Sequence, residues 1–156
     1  MEALYIFGAE YLIVVVPIIA LFYVWRLPRE TQRKLIIFAA IVLPLIFIAS
    51  RLAGALYDNP RPFVVENFVP LVAHDPDNGF PSDHTLFTGA IAAVVWFFSR
   101  RAGTVLFLLA ILVGVSRVMA GVHHPIDIIG SLVICCVVAF IVNALSRRKV
   151  TAGEGQ

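Results

Sequence analysis

Residues 35–57 read LIIFAAIVLPLIFIASRLAGALY, a run in which the only charged residue is Arg51. A helix of about 20 apolar residues crosses a hydrocarbon layer roughly 30 Å thick. This stretch therefore places the chain in a bilayer rather than around a soluble core. Four further runs lie on either side of it: Leu4 to Trp25, Thr85 to Phe98, Thr104 to Ala120 and Ile126 to Leu145. Together they predict an all-α, polytopic membrane bundle of about five spans, the third short enough to need flanking residues or a thinned bilayer. The first run lacks a basic leader and a small-residue cleavage site and carries Glu2 and Glu10, so it is read as a span rather than a signal. Pro17 and Pro44 are expected to kink the first two spans.

The 156 residues are 60% hydrophobic and 14% charged. That composition excludes a single-core soluble domain and a disordered chain. The only cysteines, Cys135 and Cys136, are neighbours in an apolar run, which excludes a disulfide scaffold and assigns them to packing or lipid. Residues 1–150 are expected to form one membrane domain, with 151–156 a disordered tail.

The formal charge of +2 hides a segregation. Arg26, Arg29, Arg33, Lys34, Arg100, Arg101, Arg147, Arg148 and Lys149 fall at one end of the predicted spans, which the positive-inside rule makes cytoplasmic. The other end holds three basic residues, Arg51, Arg61 and Arg117, all four histidines and eight of the ten acids. The inner half sums to +7 and the outer to −5. The N-terminus is then outside and the C-terminus inside. Tyr5, Tyr11 and Tyr57 near one interface and Tyr23, Trp25 and Trp96 near the other read as anchoring belts.

Basic residues on the acidic side are costly exceptions that usually mark a site. Their neighbours are Asn59-Pro60-Arg61-Pro62-Phe63 past the second span, Phe80-Pro81-Ser82-Asp83-His84 entering the third, Ser116-Arg117 closing the fourth, and His123 with Asp127 opening the fifth. Pro81, Ser82 and Asp83 form a helix-start signal whose free amides and Ser82 hydroxyl suit an anion. Arg61 and Arg117 are permanent charges matched to phosphate oxygens. His123 and Asp127, if helical, share a face at i, i+4, leaving one imidazole nitrogen free to attack. His84 is placed to protonate a leaving oxygen.

These residues resemble the type 2 phosphatidic acid phosphatase (PAP2) superfamily, closest to its bacterial undecaprenyl-diphosphatase branch. Ser116, Arg117, His123 and Asp127 meet one motif in full. Pro81-Ser82-Asp83-His84 matches a second, with Asp83 where glycine is usual, as is common in that branch. Of the third, Arg61 and Pro62 are present, and Gly54 stands in place of a lysine. Arg51, three residues earlier on nearly the same helix face, is either its replacement or a snorkelling arginine; its side chain should lean inward, away from the outer surface.

The resemblance implies a phosphohistidine on His123 oriented by Asp127, His84 as acid and then activator of water, phosphate held by Arg61, Ser82 and Arg117, and no metal or other cofactor. Asp83 would hold an arginine or the His84 ring, or simply cap the helix. The partners expected are a lipid phosphate or diphosphate and membrane lipids, not nucleic acid. The substrate implied is undecaprenyl diphosphate at the outer face of the bacterial inner membrane. Phosphatidylglycerophosphate or phosphatidate is the alternative, and a non-catalytic lipid-phosphate binder or transporter stands behind both.

A zinc site built from His84, His123, His124 and aspartates is the chemical rival. Two guanidinium groups competing with a dication for the same phosphate speak against it. His74 and His124 lie outside the motif positions and read as ordinary polar residues, with His124 close enough to the nucleophile to touch substrate. Phe63 to Leu71 reads as either a plain loop or a lining of the route taken by a lipid tail.

Overall fold

The computed structural model describes the backbone of residues 1–153 and the side chains of residues 1–147. Its elements are α1 (Glu2–Glu10), α2 (Leu12–Trp25), α3 (Arg29–Leu56), α4 (Pro62–Val65), α5 (Asp83–Trp96), α6 (Arg100–Met119) and α7 (Pro125–Gly153). Among the described residues the architecture is all-helical, and an isolated bridge between Pro60 and Asn78 is the one extended pairing.

The bundle is built around α5, nine of whose 14 residues are buried. One flank packs Ala92 and Val95 against Val16 and Ala20 of α2 and Leu106 of α6. The other packs Leu86, Ala90, Ala93 and Val94 against Val42 and Ile46 of α3 and Cys135 and Ala139 of α7. Small residues make this crowding possible, because membrane helices associate by close backbone approach rather than by expelling water. A Cβ at Gly89 would already meet Leu132 and Cys135 of α7 at 3.1 and 3.4 Å.

Among the described residues three helices are long and apolar enough to cross a membrane: Arg29–Leu56, Arg100–Met119 and Pro125–Arg147. The α1–α2 pair, bent by 51°, makes a fourth if counted as one span. The expected count of about five is thus not confirmed. The helix outside this count is α5, only about 21 Å long at 1.5 Å per residue and packed against α2, α3, α6 and α7. The bend in the first span also differs from expectation. It falls at Tyr11, while α2 and α3 run through Pro17 and Pro44 as single helices. Gly8 lies so close to Ser116 that no side chain would fit, which lays α1 directly onto α6.

Large apolar side chains such as Phe22, Ile37, Phe47, Leu108 and Phe140 point outward, where a bilayer would cover them. Cys135 is buried and Cys136 exposed, on different faces of α7. At the basic end, Arg26 lies over the Phe22 ring and Arg100 over Trp96, at 4.6 and 3.8 Å. The side chains of Arg148 and Lys149 are outside the described residues. The α7 helix extends to Gly153, into the segment expected to be a disordered tail, and residues 154–156 are outside the described residues.

Candidate active site

The loop joining α3 to α5 is tied down before it presents any chemistry. Asn78 does most of the tying. Its Nδ2 donates to the Gly54 and Tyr57 carbonyls at 2.9 and 3.0 Å, and its Oδ1 accepts from the Asn59 and Phe80 amides at 3.0 and 2.9 Å. The Gly79 amide then donates to the Asn59 carbonyl at 2.9 Å. A Cβ on Gly79 would sit 3.0 Å from that oxygen and 3.1 Å from Asp127 Oδ2. A side chain there would press on both oxygens as the loop closes over Asp127.

Asp127 is fully buried and accepts three times. Asn59 Nδ2 donates to Oδ1 at 2.7 Å, the His124 amide donates to Oδ2 at 2.8 Å, and His123 Nδ1 lies 3.3 Å from Oδ2. A buried carboxylate keeps its charge only with such donors. The contact with His123 is not the one expected from two positions on a helix. Pro125 starts α7, so His123 precedes it, and Asp127 reaches back to the His124 amide as the third residue of a capping box does.

The other imidazole nitrogen, His123 Nε2, lies 3.3 Å from Nη1 of Arg61, which also donates to the Val122 carbonyl at 2.8 Å. Arg61 Nε donates to Asp77 Oδ1 at 2.7 Å. With a proton on Nδ1 shared with Asp127, the Nε2 lone pair faces Arg61. Burial first, and then the Arg61 and Arg117 charges, hold His123 below its ordinary pKa against the opposing pull of Asp127. Burial pushes the Asp77 carboxyl up, but its bond to Arg61 brings it below the usual range.

Beside His123 opens a recess of about 520 Å³ lined by Glu10, His74, His84 and Arg117 among others. Arg117 is buried, and its Nε and Nη2 have no hydrogen-bond partner. Donors left bare in this way are costly unless an acceptor arrives. Ser82 is fully buried under the start of α5. Its Oγ accepts from the Thr85 hydroxyl at 3.2 Å and caps the helix, and Ser131 Oγ donates to its carbonyl at 3.0 Å.

Arg51 and Asp83 pair with each other across α3 and α5. They border a second recess of about 280 Å³, to which Arg61 and Asp77 also contribute. Arg51 does lean inward, its guanidinium 5.3 Å from the Phe47 ring centre, yet its tip still reaches the first residue of α5. Asp83 thus holds an arginine rather than the His84 ring.

The fold therefore gathers His123, Asp127 and Arg61 into direct contact, with His84 and Arg117 around the adjoining recess. Ser82 lies beneath them as a cap, and Arg51 with Asp83 lies to one side. Among the described residues no group of three or more His, Cys, Asp or Glu side chains is placed to hold a metal ion. Asn59, Asp77 and Asn78 escaped the sequence reading. Asn59 adjoins the Pro60-Arg61 pair, which was a usable signal; nothing in linear order links Asn78 to Gly54 or Tyr57. His124, whose Nε2 lies 3.2 Å from the Pro60 carbonyl, helps to seat the loop. Phe63 and Leu71 pack against Ala9, Ala120 and Val122, so this segment seals the α1 side of the site.

Comparison with known proteins places this geometry in context. The profile of the PAP2 superfamily matches residues 52–150. Undecaprenyl-diphosphatase BcrC of Bacillus subtilis (strain 168) is 33% identical over 141 residues, covering 90% of this chain and 72% of that protein. Putative undecaprenyl-diphosphatase YbjG of Escherichia coli (strain K12) is 38% identical over 157 aligned positions, covering 99% and 76%. The crystal structure of Aquifex aeolicus LpxE superposes with a TM-score of 0.59 at 26% identity, covering 91% of this chain and 82% of that one.

Proposed function

The chain belongs to the PAP2 superfamily and is a multi-pass membrane lipid phosphatase, and from that premise we propose that it cuts undecaprenyl diphosphate to the monophosphate through a phosphohistidine on His123. The observation that carries the reading is the His123 imidazole, held at Nδ1 by Asp127 and facing Arg61 through Nε2, next to the unpaired Arg117 nitrogens. Nε2 attacks the terminal phosphorus as the bond to the bridging oxygen breaks. His84 gives its proton to the departing lipid phosphate. Arg61 and Arg117 take up charge on the equatorial oxygens, where transferring phosphoryl groups need it. In the second step His84 removes a proton from water, the water oxygen bonds to phosphorus, the N–P bond breaks and orthophosphate leaves.

A long tail has somewhere to lie. A groove of about 360 Å³ between α3 and α5, lined by Leu43, Ile46, Phe47, Leu86, Phe87 and Ile91 among others, runs from the Arg51–Asp83 pair along the apolar bundle. A lipid held there would put its headgroup beside Arg51 and Arg61. That placement favours Arg51 as the stand-in for the lysine absent at Gly54. The charge segregation supports a site facing outward from the bacterial inner membrane, with the basic loops in the cytoplasm.

Phosphate release by the purified protein tests the proposal. Undecaprenyl diphosphate should be turned over faster than phosphatidylglycerophosphate or phosphatidate, with vanadate inhibiting, EDTA without effect and His123→Ala inactive. Full activity in the alanine variant would remove the phosphohistidine. Faster turnover of phosphatidylglycerophosphate would replace the substrate, and loss of activity on chelation would bring a metal back.

A further inference from the structure

The loop from Glu66 to Gly79 is anchored at its middle. The Leu71 amide donates to the Ala120 carbonyl at 3.0 Å. Val72 is 4% exposed in a cluster with Ala9, Ala120 and Val122. Phe68 lies against Gly121, whose φ of +80° and lack of a side chain make room for the ring. Two residues past Val72, the chain thus holds His74 over the turn that carries the nucleophile. Its ring stands edge-on to that of His123, centres 6.0 Å apart.

His74 has only weak local contacts there, with the Asp75 backbone and the Asp77 carboxylate. Its Nδ1 is buried without a hydrogen-bond partner. The nearest carboxylate oxygen, Asp77 Oδ1, is 4.0 Å away and already accepts from Arg61 at 2.7 Å. A loop histidine with no local role normally turns to solvent, whereas this one is three-quarters covered, its side chain 24% exposed. It lines the same recess as His84 and Arg117. Arg117 Nε, Arg117 Nη2 and His74 Nδ1 are all buried and unpaired, and a phosphoryl group is the guest whose oxygens would serve all three.

We infer that His74 is a third histidine of the site, donating through Nδ1–H to a non-bridging oxygen of the phosphoryl group that His123 receives. The inference rests on the phosphatase reading above and adds to it a phosphate-binding residue that no motif contains. The ring is suited to donate without carrying charge: burial, then the Arg61 and Arg117 charges, hold its pKa below the ordinary value against the opposing contact with the Asp75 backbone. Its bond would be strongest as negative charge collects on the equatorial oxygens, so its loss should lower kcat more than it raises KM.

The test compares His74→Ala with His74→Asn, whose amide can place a donor near the Nδ1 position. With undecaprenyl diphosphate, kcat should fall about tenfold or more in the alanine variant and vanadate inhibition should weaken in parallel. The asparagine variant should recover most of both, and the thermal midpoint should not move. Equal losses in the two variants would mean that the ring only packs, and unchanged kinetics would mean that it touches no substrate; either overturns the inference. Orthovanadate binding by calorimetry in a His123→Ala background reads the same contact without turnover. Weaker binding with alanine, restored by asparagine, supports the inference whichever lipid is the substrate; unchanged binding overturns it. Absence of phosphate release by the wild-type protein would count against the phosphatase reading alone.

Discussion

Asp127 and Arg61 divide the two nitrogens of His123 between them, at 3.3 Å each. The carboxylate favours a proton on Nδ1, and the guanidinium disfavours one on Nε2. Burial acts first and in the same sense as the arginines, so the imidazole stays neutral further into acid than an ordinary histidine. A nucleophile must be neutral to attack, and its pKa here is lowered. On the proposed mechanism the acid limb of kcat/KM, set by His123, should therefore lie below the ordinary histidine pKa of about 6.5, while the proton that His84 must carry for the leaving group sets a separate fall on the alkaline side. Arg61→Gln removes one of the cations, so the acid limb of its residual activity should move up towards that value. A pH–rate profile of the two proteins checks the sign, and an unmoved limb would mean that Arg61 does not set the His123 charge.

Helix ends, rather than helix faces, build the site. The C-terminus of α3, the N-terminus of α5, the C-terminus of α6 and the turn into α7 meet at one end of the bundle. Asn78 holds the first two of these together with four hydrogen bonds. It borders the recess of Arg51 and Arg61 rather than that of His84 and Arg117, but both its Nδ2 protons and its Oδ1 are taken up by backbone partners, so its contribution is positional. Asn78→Ala should cost about 1–3 kcal/mol of stability, the usual penalty for stranding buried polar groups. It should also lower activity by loosening Arg61 and Asn59. Thermal melts in detergent and phosphate release read the two effects; a variant with the wild-type melting point and rate would show that the staple is redundant.

At the scale of the whole molecule, charge and burial point the same way. The basic end carries cation–aromatic pairs at Arg26 and Arg100, and the opposite end carries the buried arginines. Orientation is open to direct measurement. A cysteine at Val69, 92% exposed on the site side, should react with an impermeant maleimide in intact cells. One at Glu30, whose side chain is 80% exposed at the basic end, should react only after permeabilisation. The reverse pattern would turn the protein over and put the site in the cytoplasm.

Much of this was legible in the chain. Apolar runs such as residues 35–57 determined an all-helical membrane protein, because span length and hydropathy are local properties. The isolated charges Arg61 and Arg117, with His84, His123 and Asp127, marked the candidate site because charge is rare in so apolar a sequence. Tertiary structure alone decided the rest. α5, the shortest of the expected spans, became the axis of the bundle because four neighbouring helices pack against it. His123 meets Asp127 through a helix cap rather than along a helix face because Pro125 starts α7 after the histidine. Arg51 pairs with Asp83, Asn59 with Asp127, and His74 stands over His123, because loop closure brings together residues whose separation in sequence gives no sign of contact. A sequence records which groups are costly to bury; the fold decides which partner meets each one.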